Sequence, residues 1–416
     1  MTRVLAILGS GETAPTMVKP HRALFERLGP GPVPAVLLDT PYGFQANADD
    51  ISGRAVEYFA ASVGRSVEAI QLRRVEGSDP VRTEAALARL AAARWVFAGP
   101  GSPTYALRQW AGTDVPELLA DKLTHGGCVV FASAAALTLG RYTVPVYEIY
   151  KVGADPIWAT GLDLLGALGP DVAVIPHYDN AEGGNHDTRF CYLGEDRLAA
   201  LEAQLPDRGW VLGVDEHTGC ILDLEAGAAT VVGNGVVTVR RGGRSEVVTS
   251  GECIPIGALI DLAFGKRPAA VPRPAPSPVS AEAAPTALHA EIRRLGAEFD
   301  AALAVPDLDA AVRAILELDD TLVAWSGDTT QSDAADRGHA TLRRMVVRLG
   351  ELARSGVRDP RAVVGGFVDA LLEERGVARG ERRFDDGDRI RGTLAALGVE
   401  VRDTPGGTQW ELTTGP

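Results

Sequence analysis

The chain has 416 residues, more than one ordinary hydrophobic core accommodates, so two domains are expected. Its 41 basic residues against 55 acidic ones leave a net charge of −14, which works against nonspecific attraction to nucleic acid or to an anionic membrane surface. No apolar run reaches the length of a transmembrane helix, and the four cysteines, Cys128, Cys191, Cys220 and Cys253, contain no CxxC pair that would imply a zinc knuckle or a disulfide framework.

The first residues, "MTRVLAILGSGETAP", hold one basic residue and an apolar run that stops at glycine, without the length or cleavage pattern of a signal peptide. With reduced thiols, this reads as a cytoplasmic protein. From residue 1 to about 176, β-rich runs ("VLAIL", "VPAVLLDT", "VEAIQL", "RWVFAG", "CVVFA", "DVAVIPH") alternate with amphipathic helical stretches such as "RTEAALARLAAA". Strands apolar on both faces and separated by helices require a covered parallel sheet, so the fold class is α/β, a doubly wound and mostly parallel sheet. Between about 210 and 248 short strands follow one another; this part reads as antiparallel and peripheral, with Asn234-Gly235 suited to a type I′ hairpin.

Residues 265–285, "GKRPAAVPRPAPSPVSAEAAP", place proline every few positions and read as a semi-rigid linker. The expected domains are therefore 1–264, the linker, and 286–416. Apolar residues at helical spacing in "LHAEIRRLGAEFDAAL", "LDAAVRAILELDDTLVAW", "ATLRRMVVRLGELARSG" and "AVVGGFVDALLEERGVA" make the last part a small helical domain.

The chemistry centres on "CVVFASAAALTLG" (128–140), where Ser133 stands alone at the corner between a buried strand and an alanine-rich helix. Ser133 is either an N-cap or a nucleophile lifted clear of the backbone, with the next amide and the helix amino terminus facing developing charge. The loop "FAGPGSPTYAL" (97–107) follows another strand and exposes amides at the same sheet edge, where they either supply a second oxyanion donor or belong to an ordinary strand-to-helix loop with Pro103 near the first helical position. His177, in "VIPHYDNAEGGNHDTRF", directly follows a strand at the edge where ligands bind in open α/β sheets, which suits a general base toward Ser133. Glu148, in "VPVYEIYKVG", either orients the imidazole or is an exposed strand glutamate.

The "GSGET" loop (9–13) lacks a dinucleotide fingerprint, and no phosphate-binding GxxxxGK[ST] occurs. It reads instead as the first loop at the edge of the site. His186, Asp187, Glu216 and His217 lack metal-ligand spacing, so no metal and no cofactor are expected.

The order and spacing of "ASAAA", "AGPGSPT", "IPHYDN" and "VLGVDEHTG" (211–219) resemble the peptidase family that contains aspartyl dipeptidase (peptidase E) and cyanophycinase, over roughly residues 1–265. That resemblance implies a fold like the class I glutamine amidotransferase domain. It also implies Ser133 as nucleophile, His177 as base, Glu148 as the acid, and the amides of Gly101 and Ala134 as the oxyanion hole. "EGGNHDTR" (182–189) resembles the substrate-side segment of the dipeptidase branch, which implies Arg189 as a partner for an acidic substrate side chain. Asn180, Glu182 and Glu216 are the other residues expected on the substrate side.

In the tail, "FDAALAVPDLDAAVRAILELDDTL" (299–322) and residues 367–410, closing on "LGVEVRDTPGGTQW", resemble the carboxyl-terminal helical domain of cysteinyl-tRNA synthetase. Neither a HIGH-type nor a KMSKS-type motif occurs, so aminoacylation is not expected. Residues 286–416 hold 17 arginines and no lysine against 23 acidic residues, so contact with tRNA would rest on a local cluster of Arg379, Arg382, Arg383, Arg389 and Arg391. The competing use of these helices is self-packing or homo-oligomerisation. Two functions thus stand: a serine hydrolase of a small peptide or amide, with no membrane partner, and an inert scaffold or tRNA-associated module.

Overall fold

The structure is a computed structural model that describes residues 2–169, 171–181, 186–266, 288–305, 307–328, 334–355, 360–404 and 407–413. It divides into two compact units, Met1–Thr341 and Leu342–Pro416. The proline-rich segment lies almost wholly outside the described residues. The helices Leu288–Ala304 and Leu308–Ala324 fall in the first unit, although the sequence grouped them with the tail.

In the first unit, strands β1 (Arg3–Leu8), β2 (Ala35–Leu37), β3 (Glu68–Ala69), β4 (Trp95–Ala98) and β5 (Gly127–Ala132) run parallel. A second set, β6 (Tyr142–Thr143), β7 (Ala159–Thr160), β8 (Val172–Ile175) and β9 (Trp210–Val214), belongs to a separate sheet. Strands β10 (Thr218–Asp223), β11 (Ala228–Gly233) and β14 (Cys253–Pro255) extend the first sheet antiparallel, while β12 (Val236–Arg241) and β13 (Arg244–Thr249) extend the second. The strand orders are β14-β11-β10-β1-β5-β4-β2-β3 and β13-β12-β9-β8-β6-β7.

Continuous apolar strands are buried on both faces because side chains alternate along each one. Leu5, Ile7, Val96, Val129 and Phe131 join one core, and Val4, Ala6, Leu8, Trp95, Phe97, Cys128 and Val130 join the other. The first core continues through Val172, Val174, Leu212 and Val214, so the two sheets share it. In the second, Trp95 stacks on Phe25 with centroids 4.6 Å apart. The flanking helices obey local rules. Pro80–Ala92 starts with Pro80 in the first turn and an Asp79 carboxylate accepting from the Val81 amide, and it buries Ala86, Leu87 and Leu90.

Two expectations are corrected. Strand β10 is not peripheral, since it pairs with β1 in the middle of the larger sheet. Asn234-Gly235 is not a hairpin: it joins strands of different sheets, and neither residue has the positive φ that a type I′ turn needs. Gly242 and Gly243, with φ of 56° and 75°, form such a turn between β12 and β13.

The second unit is helical with a small sheet. Strands β15 (Val399–Thr404) and β16 (Gly407–Leu412) pair antiparallel over the closing stretch of the sequence. Val368, Leu394, Val399, Val401 and Trp410 form its core. Buried Arg375 makes a two-pronged contact with Asp403, at 2.9 and 2.7 Å, and holds that carboxyl well below the usual carboxylate range.

Candidate active site

The parallel register sets the stage. Leu8 lies opposite Ala132, and Ala98 opposite Phe131. The loops after β1, β4 and β5 therefore emerge side by side at one sheet edge. At Ser133 the chain leaves an extended Ala132 and takes φ +49° before entering the short helix Ser133–Leu137. Positive φ is uncommon for a serine and costs energy that the surroundings must hold. The Ala135 amide donates to the Gly99 carbonyl at 3.1 Å, and the Ser102 amide to the Pro41 carbonyl at 2.8 Å, so the corner and the Gly99–Ser102 loop are pinned together.

Strands β8 and β9 are parallel neighbours, with Ile175 opposite Gly213. His177 follows the first and Glu216 the second, each two residues past the strand end. Ser133 Oγ lies 2.9 Å from His177 Nε2, and His177 Nδ1 lies 2.8 Å from Glu216 Oε1. With a carboxylate accepting, Nδ1 carries the ring proton and Nε2 is left to accept from the serine hydroxyl. His177 also has a positive φ of +48°. Its carbonyl accepts from the Cys191 amide at 3.0 Å, within the left-handed run Phe190, Cys191 and Tyr192.

One expected placement is corrected: Glu148 is not beside the imidazole. Glu148 begins a single helical turn, Glu148–Val152, and its Oε1 accepts from Thr104 Oγ1 at 2.7 Å. Glu216, expected on the substrate side, occupies the position beside the imidazole, because adjacency of β8 and β9 brings their following loops together. Asn180 braces it, with Nδ2 donating to Glu216 Oε1 at 3.3 Å. Burial pushes the Glu216 carboxyl up, but hydrogen bonds from His177 and Asn180 and the imidazole's charge bring it below the usual range. Burial, together with the charge of neighbouring Asp179, raises Asp215 to about 6.

Ser133, Ala134, Gly101 and His177 line a cavity of about 510 Å³. The Ala134 amide lies in the first helical turn, where donors lack an intrahelical acceptor. Gly101 has φ +132°, and a Cβ there would sit 2.1 Å from the Pro41 carbonyl oxygen, so only glycine fits the loop. Ser10 and Glu12 of the first loop are also in the wall. Gly11, at φ +64°, leaves room for the His217 ring, whose Nδ1 would be 2.0 Å from a Cβ.

Arg189 is not among the residues lining this cavity. Its guanidinium is held by Asp187, at 2.9 and 2.8 Å. Glu182 lies outside the described residues. Ser10 and Glu12 belong to the loop expected at the edge of the site, whereas Asp328 was missed as a wall residue; it arrives from beyond the proline-rich segment, where no local signal existed.

Comparison with known proteins finds relatives of two kinds. The cysteinyl-tRNA ligase anticodon binding domain matches residues 366–410. A cysteine–tRNA ligase of Nitratidesulfovibrio vulgaris is 58% identical over 45 residues, 11% of this chain and 9% of the ligase. That of Brevibacillus brevis is 31% identical over 111 residues, 24% of each. The chain thus spans at most about a quarter of these relatives' length. Two solved peptidase structures each cover more than half of this chain. A peptidase from an acI-B1 Actinobacterium superposes with TM-score 0.50 at 20% identity, covering 61% of this chain and 97% of that one. A peptidase E protein of Listeria monocytogenes EGD-e covers 58% and 99% at 12% identity and TM-score 0.37. At 20% identity, what the first of these shares with this chain is the fold. Among the described residues no helix is long and apolar enough to cross a membrane.

Proposed function

We propose that the first unit is a serine hydrolase of a small peptide or amide, and that Ser133, His177 and Glu216 carry the reaction. The observation behind this reading is the unbroken relay from Ser133 Oγ through both imidazole nitrogens to a carboxylate, at 2.9 and 2.8 Å. Ser133 Oγ attacks the carbonyl carbon while its proton passes to His177 Nε2. Glu216 fixes the tautomer and stabilises the imidazolium, and the Gly101 and Ala134 amides receive the oxyanion. The tetrahedral species collapses as His177 returns the proton to the leaving nitrogen and the C–N bond breaks. Water then attacks the acyl carbon as the same imidazole takes its proton, and the bond to Ser133 Oγ breaks as that proton passes to the serine oxygen.

The test is Ser133→Ala combined with fluorophosphonate labelling. Wild-type protein should carry the label on Ser133, and the variant should lose turnover by about 10⁴-fold or more while its thermal unfolding stays unchanged. Turnover at the wild-type rate in the variant would overturn the assignment.

A second reading, contact of the second unit with tRNA, is favoured by the match over residues 366–410. Acidic partners occupy part of its arginine cluster: Arg379 pairs with Asp388, Arg383 with Glu381 and Asp386, and Arg389 with Asp386. Filter binding of bulk tRNA at two salt concentrations tests it. Binding that weakens with salt and disappears on deletion of residues 342–416 supports it; binding indifferent to the deletion counts against it. A cytoplasmic location fits both readings.

A further inference from the structure

Asp215, Glu216 and His217 carry the chain from β9 in one sheet to β10 in the other. Glu216 is held directly: its amide donates to Asp179 Oδ1 at 2.7 Å, and Asn180 reaches its carboxylate. Neither contact fixes the residue that follows. His217 stands at φ +50°, a conformation that a side chain larger than glycine keeps only where its surroundings over-determine it.

Those surroundings come from three separate segments. The His217 carbonyl accepts from the Asn234 amide at 3.0 Å. Thr16, buried beside the first loop, brings its Oγ1 to 3.2 Å from His217 Nδ1. Trp325, also buried, meets the imidazole edge-on, with centroids 5.3 Å apart. Trp325 follows the helix Leu308–Ala324, and its amide donates to the Thr321 carbonyl at 3.0 Å. That helix buries Leu318 and Leu322, and its Glu317 pairs with Arg294 of the helix Leu288–Ala304. Two residues beyond Trp325, the Gly327 carbonyl accepts from Thr13 Oγ1, and a Cβ on Gly327 would lie 3.2 Å from the Thr13 carbonyl oxygen. The turn is thus seated on the first loop and brings an aromatic ring to the residue after Glu216.

A left-handed residue released from its packing returns to the α or β region, and the peptide unit joining it to Glu216 turns with it. The hydrogen bond between His177 Nδ1 and Glu216 Oε1 is directional. Such a turn draws the carboxylate out of line with the imidazole.

We propose that His217 is a positioning residue for the Glu216 carboxylate, held in its left-handed conformation by Thr16 and Trp325, so that hydrolysis at Ser133 depends on a helix beyond the proline-rich segment. The inference rests on the hydrolase reading above. Kinetics are measured in the full chain on whichever member of a dipeptide p-nitroanilide library the wild type cleaves fastest. Trp325→Ala should lower kcat by about 10²-fold with KM within about 2-fold, and Trp325→Phe, which keeps a ring edge at the imidazole, should stay within about 3-fold of wild type. Thr16→Val leaves the helix pair untouched, so it stays informative if Trp325→Ala does not fold; kcat should drop by about 3- to 10-fold. In a Glu216→Gln background each substitution should cost less than about 3-fold more, because the carboxylate it positions is gone. Wild-type kcat in both Trp325→Ala and Thr16→Val, a loss carried by KM, or a loss undiminished in the Glu216→Gln background overturns the inference.

Hydrogen exchange in the same full-length variants reads the clamp without turnover. The Glu216 and Asn234 amides should exchange faster in Trp325→Ala and Thr16→Val, while β9 and β10 keep their protection. Faster exchange there, in a protein whose wild type cleaves no library member and takes no fluorophosphonate on Ser133, supports the clamp and defeats the hydrolase reading alone. Unchanged exchange in both variants overturns the clamp and leaves hydrolysis untouched.

Discussion

Glu216 Oε1 lies 2.8 Å from Nδ1 of His177, 39 positions earlier in the chain, because the strands that precede them are parallel neighbours. An ionised carboxylate there holds the ring in the tautomer that leaves Nε2 open to Ser133. Glu216→Gln should therefore lower kcat by about 10³- to 10⁴-fold with KM little changed. Glu148→Gln should stay within about 10-fold of wild type, since Glu148 bonds Thr104 and not the imidazole. Steady-state kinetics of both variants on one substrate distinguish the two acids. A larger loss with Glu148→Gln would reverse the assignment.

Gly101→Ala tests the oxyanion loop. The added methyl would overlap the Pro41 carbonyl, 2.1 Å away, at a φ of +132° that an alanine rarely adopts. The loop must shift, taking its amide out of line. The expected result is a fall in kcat of about 10²- to 10³-fold, with a lowered midpoint in thermal unfolding.

The acidic cluster behind Glu216 makes stability depend on pH. Burial raises Asp215 to about 6 in the folded protein, above its ordinary 3.8, with the charge of Asp179 adding to the shift. A carboxyl raised on folding binds its proton more tightly in the native state. Its stabilising contribution is complete below pH about 4 and is lost as pH rises through about 6. Asp215→Asn should therefore gain thermal stability over wild type at pH 7.5 and show little or no gain at pH 4. Melting curves at both values check this; an equal difference at each pH would contradict it.

In the second unit, Arg375 is 2% exposed and holds Asp403 with two hydrogen bonds. Removing the guanidinium leaves a polar gap between the helix Pro360–Gly380 and β15. Arg375→Ala should destabilise this unit by about 1–3 kcal/mol. Hydrogen exchange in the full chain should then quicken in Phe384–Ala396 and in the β15–β16 hairpin, while fluorophosphonate labelling of Ser133 keeps its wild-type rate.

Much of this protein was legible in one dimension. Apolar runs of strand length separated by amphipathic helices specify covered parallel strands, because both faces must be buried. That Ser133 and His177 stand just past strand ends could be read, because each placement is set by its own strand. The distinctive closing stretch "LGVEVRDTPGGTQW" pointed to the family that residues 366–410 match.

What depended on pairing was not legible. Glu148 and Glu216 are alike by composition, and only the adjacency of β8 and β9 puts Glu216 beside the imidazole. Asn234-Gly235 has the residues of a tight hairpin, yet its flanking strands join different sheets. Asp328 comes to the cavity from beyond the proline-rich segment, where no spacing rule reaches. Local sequence sets the backbone preferences and buried faces of each element, since those energies act over a few neighbouring residues. Which elements end side by side is decided by long-range packing, and that packing brings Ser133, His177 and Glu216 within hydrogen-bond reach.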